Sequence, residues 1–424
     1  MATEGVAARM AAVALLDAVL GEGRMLQEAA EAVPGPLAGL APPERARAQR
    51  LAAAVLRRLD AADAMLAQHL RKAPPRTVRN ALRLGAVELA AGEAAHGVVN
   101  ALVDGLRHGR RTAAFAGLAN AVLRQVAAAP PRHAPPQKLP PWLRKPLVAA
   151  WGRPAVEVME AVHTAAPPVD LTPNPLRPAD LPPGSERLPT GSVRLPPGAQ
   201  VTAVPGWDAG AWWVQDAGAA LAARLLDARP GEAVVDLCAA PGGKTLQLAA
   251  MGARVTAVDI SAPRLRRVQA NLDRTGLSAE LVAADALHWM PARPPDAVLL
   301  DAPCSATGTI RRHPDLPFLR RPEDLPPLVG LQSALIDRAL AMLAPGGRLV
   351  FCTCSLLPEE GEGQLDAALA RHPGLTVEPP IPAPLPGWDP GWTTPAGGIR
   401  LRPDHWADRG GIDGFFVVRL RKAG

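Results

Sequence analysis

Seven prolines between Pro130 and Pro146, at positions 130, 131, 135, 136, 140, 141 and 146, divide this 424-residue chain into parts that obey different periodicities. A ring-locked φ and a missing N–H stop a helix and stiffen extended backbone, so a domain boundary is expected there. Before it, apolar residues recur at three- and four-residue spacing through 6–20, 44–70, 76–91, 98–105 and 117–126, which predicts a bundle of about six helices. After residue 231 the pattern becomes strands (233–238, 254–259, 280–284, 297–301, 348–353) alternating with helices (245–250, 264–275, 328–343). Such alternation predicts a parallel, doubly wound sheet, with 415–420 closing it as an antiparallel edge strand. Between the two, residues 142–163 read as one or two short helices and 169–204 as proline-punctuated short strands and turns. The expected fold is multidomain: an all-α bundle at residues 1–130, a small α+β connecting subdomain at 140–205 and a Rossmann-like α/β domain at 206–424.

The chain carries a formal charge of +6 with a pI near 9.7, which favours an anionic partner, nucleic acid first. Much of the excess lies in the first 130 residues, with 16 Lys and Arg against 11 Asp and Glu. After Pro74 and Pro75, Arg76, Arg79 and Arg83 fall at i, i+3 and i+7 of one predicted helix, and Arg71 and Lys72 precede them with no acid between. That strip is either a solvated helix face or a contact for RNA phosphates. Four cysteines, all beyond residue 237 and without CxxC or His–Cys spacing, make neither a disulfide framework nor a zinc site. Reduced, cytoplasmic thiols and no metal are expected. The apolar run from Ala11 to Leu16 follows Glu4 and is interrupted by Asp17, as in an amphipathic helix rather than a signal peptide. No run approaches the ~18 apolar residues of a membrane span.

The cofactor loop is more specific. Residues 234–245 read as a buried strand, a glycine-rich turn and a helix: Cys238, Ala239, Ala240, Pro241, Gly242, Gly243 and Lys244 form the turn. The two glycines allow backbone to approach a ligand where a side chain would clash. A phosphate-binding GxxxxGK[ST] loop is excluded because its first glycine would be Cys238, and a GxGxxG dinucleotide fingerprint is absent. Asp259 ends the next strand, where an acid accepts hydrogen bonds from ribose hydroxyls, and Asp285 follows the third, beside a possible adenine edge. With Asp301 these make three strand-end acids in order. They fit a nucleoside cofactor that carries no phosphate, S-adenosyl-L-methionine before a nucleotide.

The segments Cys238 to Lys244 (CAAPGGK), Asp301 to Ser305 (DAPCS) and Thr353 to Ser355 (TCS) resemble the motifs of the RsmB/Nop2 family of RNA 5-methylcytosine methyltransferases. The resemblance runs from about Trp142 to Arg421, through Arg402-Pro403 and Asp413-Gly414-Phe415-Phe416. The first 130 residues resemble a NusB-type RNA-binding domain, in Leu82-Arg83-Leu84-Gly85 and in Leu118 to Arg124 (LANAVLR). The combination implies a class I methyltransferase, a monomer, acting on an unpaired or flipped cytosine of small-subunit ribosomal RNA. One departure stands out: where the family has Ser-Gly after the motif cysteine, this chain has Ser305-Ala306-Thr307-Gly308. The alanine reshapes the turn without removing a reactive group.

The resemblance also implies roles. Carbon 5 of cytosine is too weak a nucleophile until a thiolate adds at carbon 6, and Cys354 is the implied nucleophile. Asp301 would hydrogen-bond ring nitrogen 3, and Cys304 would serve the release step, as base or through a water. Both thiols need a positive or hydrogen-bonding environment to act near neutrality, and Lys244 is a candidate source of positive potential. Cys352 reads as a small buried hydrophobe facing away from Cys354, and Arg311, Arg312, His313, Arg402 and His405 as solvated or RNA-contacting groups. Two other readings remain open: a transfer RNA cytosine methyltransferase, and a non-catalytic RNA-binding assembly factor. The second need not keep Cys304, Cys354 and Asp301 together, as this chain does.

Overall fold

The computed structural model describes residues 5–129, 135–380 and 387–424, so Pro130 and Pro131 of the boundary lie outside the described residues. The chain forms two units. The first comprises Met1–Lys145, Val156–Ala166 and Ile310–Arg320, and the second comprises Pro146–Ala155, Pro167–Thr309 and Arg321–Gly424.

The first unit is helical: α1 (Val6–Glu22), α2 (Leu26–Glu31), α3 (Pro42–Leu56), α4 (Leu59–Ala67), α5 (Arg76–Ala90), α6 (Ala95–His108) and α7 (Ala116–Ala128). Their apolar faces share one core that includes Leu15, Leu16, Leu56, Leu82, Leu84, Leu102 and Leu123. Gly85 allows α5 to pack closely, since a Cβ there would lie 2.6 Å from the Leu123 side chain. The single helix expected over 44–70 is broken between α3 and α4. Arg57 caps α3 and, largely buried, donates from Nη2 to the Arg311 carbonyl at 3.0 Å, while Arg58 leaves helical geometry with φ −136°. Periodicity cannot register such a break, because the apolar spacing resumes on its far side.

Helix α8 (Pro141–Trp151) starts on a proline and runs through Pro146, so the final proline of the run does not end a helix as expected. Its missing N–H removes one helical bond, and flanking turns still form. Helix α9 (Arg153–Thr164) follows.

In the second unit, β1 (Asp170–Pro173), β2 (Glu186–Arg187), β3 (Val193–Arg194) and β4 (Trp212–Val214) make a small antiparallel sheet in the order β2-β3-β1-β4. Next come α10 (Ala220–Leu226), β5 (Ala233–Leu237), α11 (Gly243–Ala250), β6 (Arg254–Asp259), α12 (Ala262–Thr275), β7 (Glu280–Ala283) and β8 (Ala297–Asp301). Helix α13 (Leu316–Leu319) belongs to the first unit, and α14 (Leu325–Met342), β9 (Arg348–Thr353), α15 (Glu362–Arg371), β10 (Thr376–Glu378), β11 (Ile399–Leu401) and β12 (Phe415–Arg421) to the second. The large sheet runs β10-β12-β9-β8-β5-β6-β7, parallel from β9 to β7. Alternate residues of one strand enter different cores, Val350 and Cys352 on one face, Leu349 and Phe351 on the other.

Strand β12 is antiparallel, as expected, but it is not an edge. It pairs with β9 on one side and with β10 and β11 on the other. Its near-continuous apolar run, Phe415 to Val418, is that of an interior strand buried on both faces.

Candidate active site

Two adjacent parallel strands set the site. In the β8–β9 register Asp301 lies opposite Cys352, so the loops leaving both strands emerge side by side from the carboxyl edge. Cys304 and Cys354 lie just past those ends, and their sulfurs are 3.5 Å apart in hydrogen-bond contact. On the neighbouring strand, β5 leads into the glycine-rich turn, where the sheet order reverses and a ligand crevice opens in doubly wound folds.

Residues 238–244 form a tight cradle. Cys238 adopts a left-handed φ of 60°, Ala239 donates its N–H to the Val258 carbonyl at 3.1 Å, and the Ala240–Pro241 peptide is cis. Gly242 has φ 102°, and a Cβ there would come within 2.9 Å of Val268, so this position requires glycine. Helix α11 then begins at Gly243. Asp259 is buried and receives Ala240 N–H at 3.1 Å and Ser261 N–H at 2.9 Å, fastening the turn to the end of β6. Asp285 accepts the Leu287 N–H at 2.9 Å just after β7 and is half-buried.

Lys244 reaches across from α11 to Asp301, with Nζ 2.7 Å from the carboxylate and 5.2 Å from the Phe415 ring centre. Burial opposes its charge, yet Asp301, Cys352 and Asp236 together hold the ammonium above its ordinary pKa. Lys244 is thus a committed cation, paired with Asp301. Burial pushes the Cys238 thiol up to about 12. The Cys304 thiol is raised by its hydrogen bond to Cys354, then by burial, the Cys354 charge and Glu360.

Three groups were not legible as site residues. Asp236, fully buried at the end of β5, accepts from Thr245 Oγ1 at 2.6 Å, and its Oδ1 has no partner. Burial lifts it to about 7 against the Thr245 hydrogen bond and the Lys244 charge. Cys352 does more than fill space, since its thiol faces Asp301 Oδ1 at 3.5 Å. It also shares one apolar cluster with Cys354, because residues two apart along a strand lie on the same face; the expectation that Cys352 faces away from Cys354 is corrected accordingly. The third is Glu360, buried between the cysteine loops. A carboxylate in the segment Pro358-Glu359-Glu360 carries no sequence signal that separates it from surface charge.

Some expected contacts dissolve. Arg83 is buried and grips both oxygens of Asp63 at 2.7 Å, and Arg79 reaches the same carboxylate at 2.6 Å, so the basic strip loses two of its cations to an acid from α4. Arg311 is fully buried rather than a solvent-facing phosphate ligand. His405 stacks on Trp392 with ring centres 5.5 Å apart, and burial lowers it to about 4, so it is a neutral ring near pH 7. Arg402 is held by Asp404 at 2.9 Å and lies over the Trp151 ring. Ala306, at the departure from Ser-Gly, has φ 60°, a left-handed geometry that glycine adopts without strain.

The crevice suits S-adenosyl-L-methionine: it offers carboxylates at successive strand ends, one with an unpartnered buried oxygen, rather than the array of donors a phosphate needs. Fold and site together are those of an S-adenosylmethionine-dependent methyltransferase. Residues 223–421 match the family model for 16S rRNA methyltransferase RsmB/F, and residues 6–128 match the NusB family. The ribosomal RNA small subunit methyltransferase B of Xanthomonas campestris pv. campestris is 36% identical across 100% of this chain and 98% of its own length. Its namesake in Pseudomonas syringae pv. tomato is 40% identical over 67% of this chain, and the match spans 65% of that protein. The crystal structure titled PH0851 has the same fold, with a TM-score of 0.74 over 98% of this chain and 99% of that one at 23% identity. The chain belongs to the RsmB/F family of RNA methyltransferases, joined to an amino-terminal NusB domain. Among the described residues no helix is long and apolar enough to cross a membrane, and no cluster of ligating side chains could hold a metal ion.

Proposed function

We propose that this protein methylates carbon 5 of a cytosine in small-subunit (16S) ribosomal RNA through a covalent adduct on Cys354. The observation that carries this reading is the contact of the Cys304 and Cys354 sulfurs at 3.5 Å, beside the Lys244–Asp301 pair. In the reaction the Cys354 thiolate donates an electron pair to carbon 6, and the ring's double bond shifts so that carbon 5 becomes enamine-like. The Cys304 S–H hydrogen-bonds the Cys354 sulfur and stabilises the thiolate before attack. Asp301 hydrogen-bonds ring nitrogen 3 through the proton that Cys354 gives up on becoming the thiolate, and the Lys244 ammonium behind it supplies positive charge. S-Adenosyl-L-methionine, when bound, supplies the electrophilic methyl group that carbon 5 takes. Residues 238–243 would hold it, with Asp259 accepting from the ribose hydroxyls and Asp285 from the adenine. A water held by Cys304 takes the carbon 5 proton, and the electron pair left behind restores the ring double bond and expels Cys354 as a thiolate.

The ring must lie open on one face to Cys354, so the target cytosine is unpaired or flipped out of its helix. Residues 1–130 form the RNA-binding domain, 140–205 a connecting subdomain and 206–424 the catalytic domain of a cytoplasmic monomer. Bisulfite sequencing of ribosomal RNA from cells with and without the gene tests the substrate, and an unchanged small-subunit pattern overturns it. Transfer of the label to transfer RNA instead would move the reading to that substrate. With purified protein, Cys354→Ala abolishes methylation, whereas Cys304→Ala accumulates an RNA–protein adduct stable to denaturing electrophoresis. Wild-type turnover by Cys354→Ala would remove the nucleophile assignment.

A further inference from the structure

The polar groups behind the two thiols converge on one side chain. Glu360 ends the short turn Pro358–Glu360 between β9 and α15 and is 0% exposed. Its Oε1 accepts the Ser305 backbone N–H at 2.8 Å and Gln332 Nε2 at 3.0 Å. Its Oε2 accepts Ser305 Oγ at 2.5 Å, and its backbone carbonyl accepts Thr353 Oγ1 at 2.8 Å. Ser305 follows Cys304, and Thr353 precedes Cys354. One residue therefore ties down the chain next to each thiol. Around it Ser305, Thr307 and Ser355 hydroxyls lie 3.2 Å from one another, and Gly308 N–H meets the Cys354 carbonyl at 2.9 Å.

We propose that Glu360 is a positioning residue that sets the register of the Cys304 loop against the Cys354 loop and keeps the two sulfurs in contact through adduct formation and release. This rests on the reading of both cysteines given above. The two loops leave different strands, and past the Asp301–Cys352 pair the ladder gives way to single main-chain bonds, Ala302 N–H to the Cys352 carbonyl and Gly308 N–H to the Cys354 carbonyl, which the side-chain bonds of Glu360 supplement. A buried carboxyl with three donors aimed at it fixes that placement more firmly than any one of the hydroxyl pairs around it, because it joins the Cys304 loop and α14 through three bonds at once. The carboxyl also adds to the upward push on the Cys304 thiol, after the Cys354 contact and burial. Glu360 touches neither sulfur through a hydrogen bond, which separates it from the catalytic residues.

The test uses the full-length protein carrying Glu360→Gln, with Glu360→Ala and Ser305→Ala alongside. With its oxygen in the Oε1 place the amide still accepts the Ser305 N–H and Gln332 Nε2, but its NH2 faces Ser305 Oγ, whose hydroxyl must turn from donor to acceptor, loosening the register while preserving shape. A misplacement on the order of 1 Å between reacting groups costs about 100-fold, so kcat falls about 10- to 100-fold in Glu360→Gln and further in Glu360→Ala. S-Adenosylmethionine affinity by calorimetry and KM for RNA stay within about 2-fold of wild type. Wild-type kcat in a folded Glu360→Gln protein overturns the proposal, as does loss of cofactor affinity in parallel with kcat. If Glu360→Ala fails to fold, the other two variants decide.

A second readout needs neither RNA nor turnover. Diamide takes two electrons and two protons from a pair of thiols, forming one S–S bond and a hydrazine. Wild-type protein joins Cys304 to Cys354 with a loss of 2 Da in intact mass, and Glu360→Gln does so about 10-fold more slowly because the sulfurs no longer rest in contact. Equal crosslinking rates sink the positioning role even if the substrate proves to be another RNA.

Discussion

Replacing Asp236 with Asn isolates an electrostatic cost built into the cofactor loop. The Asp236 carboxyl is fully buried, one oxygen satisfied by Thr245 and the other without a partner. Burial raises it from 3.8 to about 7 in the folded chain. A folded value above the unfolded one means that the native state binds this proton more tightly. The stabilisation is therefore complete below pH 3.8, declines as pH rises and is exhausted above pH 7 or so, where the acid is ionised in both states. At ~1.36 kcal/mol per tenfold change in proton activity, the whole interval amounts to about 4 kcal/mol, of which roughly 2.5 kcal/mol falls between pH 5 and pH 8.

Asparagine keeps the shape and never ionises. Any constant cost of its amide cancels when the stability difference between Asp236→Asn and wild type is followed against pH. Urea unfolding read by tryptophan fluorescence suits this measurement, since all tryptophans except Trp142 lie in the unit that holds Asp236. The variant gains on wild type by roughly 2.5 kcal/mol from pH 5 to pH 8. Two parallel curves would show that Asp236 does not titrate in this window and would refute the burial argument.

Two further outcomes follow from the backbone and from the helical unit. Ala306→Gly relieves a left-handed φ of 60°, a strain of about 1–2 kcal/mol partly offset by glycine's greater unfolded entropy, so thermal unfolding should show a gain of about 0.5–1 kcal/mol. Arg83→Ala breaks a bidentate pair with Asp63 and strands Asn80; it should cost about 2–3 kcal/mol of stability in denaturant unfolding. The same variant should leave the salt dependence of RNA binding unchanged, because this guanidinium reaches no phosphate; a shallower salt slope would restore it to the RNA surface.

The sequence carried what depends on local pattern. Strands β5, β6, β8 and β9 were legible to within a residue because parallel strands inside a sheet read as short, largely apolar runs, and β7, a part-exposed edge strand, was legible from its place in the alternation of strands and helices. The cofactor turn was legible because Gly242 and the motif around it leave few alternatives. What stayed hidden depends on partners far away in sequence. The helical net places Arg79 and Arg83 on one face correctly, but nothing local reveals that Asp63 of α4 faces them. Likewise the apolar run of β12 says that it is buried, not that β10 and β11 cover its outer side.

Charge at the carboxyl edge of the sheet explains why the hidden residues matter chemically. Lys244 is spent on Asp301 at 2.7 Å, and Arg264 lies 3.7 Å from Asp259. Asp236 has only a hydroxyl partner, so of Asp236, Asp259 and Asp301 it is the acid that these two cations leave unbalanced. In a buried setting that excess is costly, and the chain meets the cost by holding Asp236 near its titration midpoint at neutrality. A ligand bearing a sulfonium and an ammonium against one carboxylate would bring a net positive charge to this acidic edge. An anionic, phosphate-bearing ligand would add to the imbalance. The absence of a P-loop and the surplus of acid are thus one selection against nucleotides, made first by the missing glycine at position 238 and again by Asp236 two residues before it.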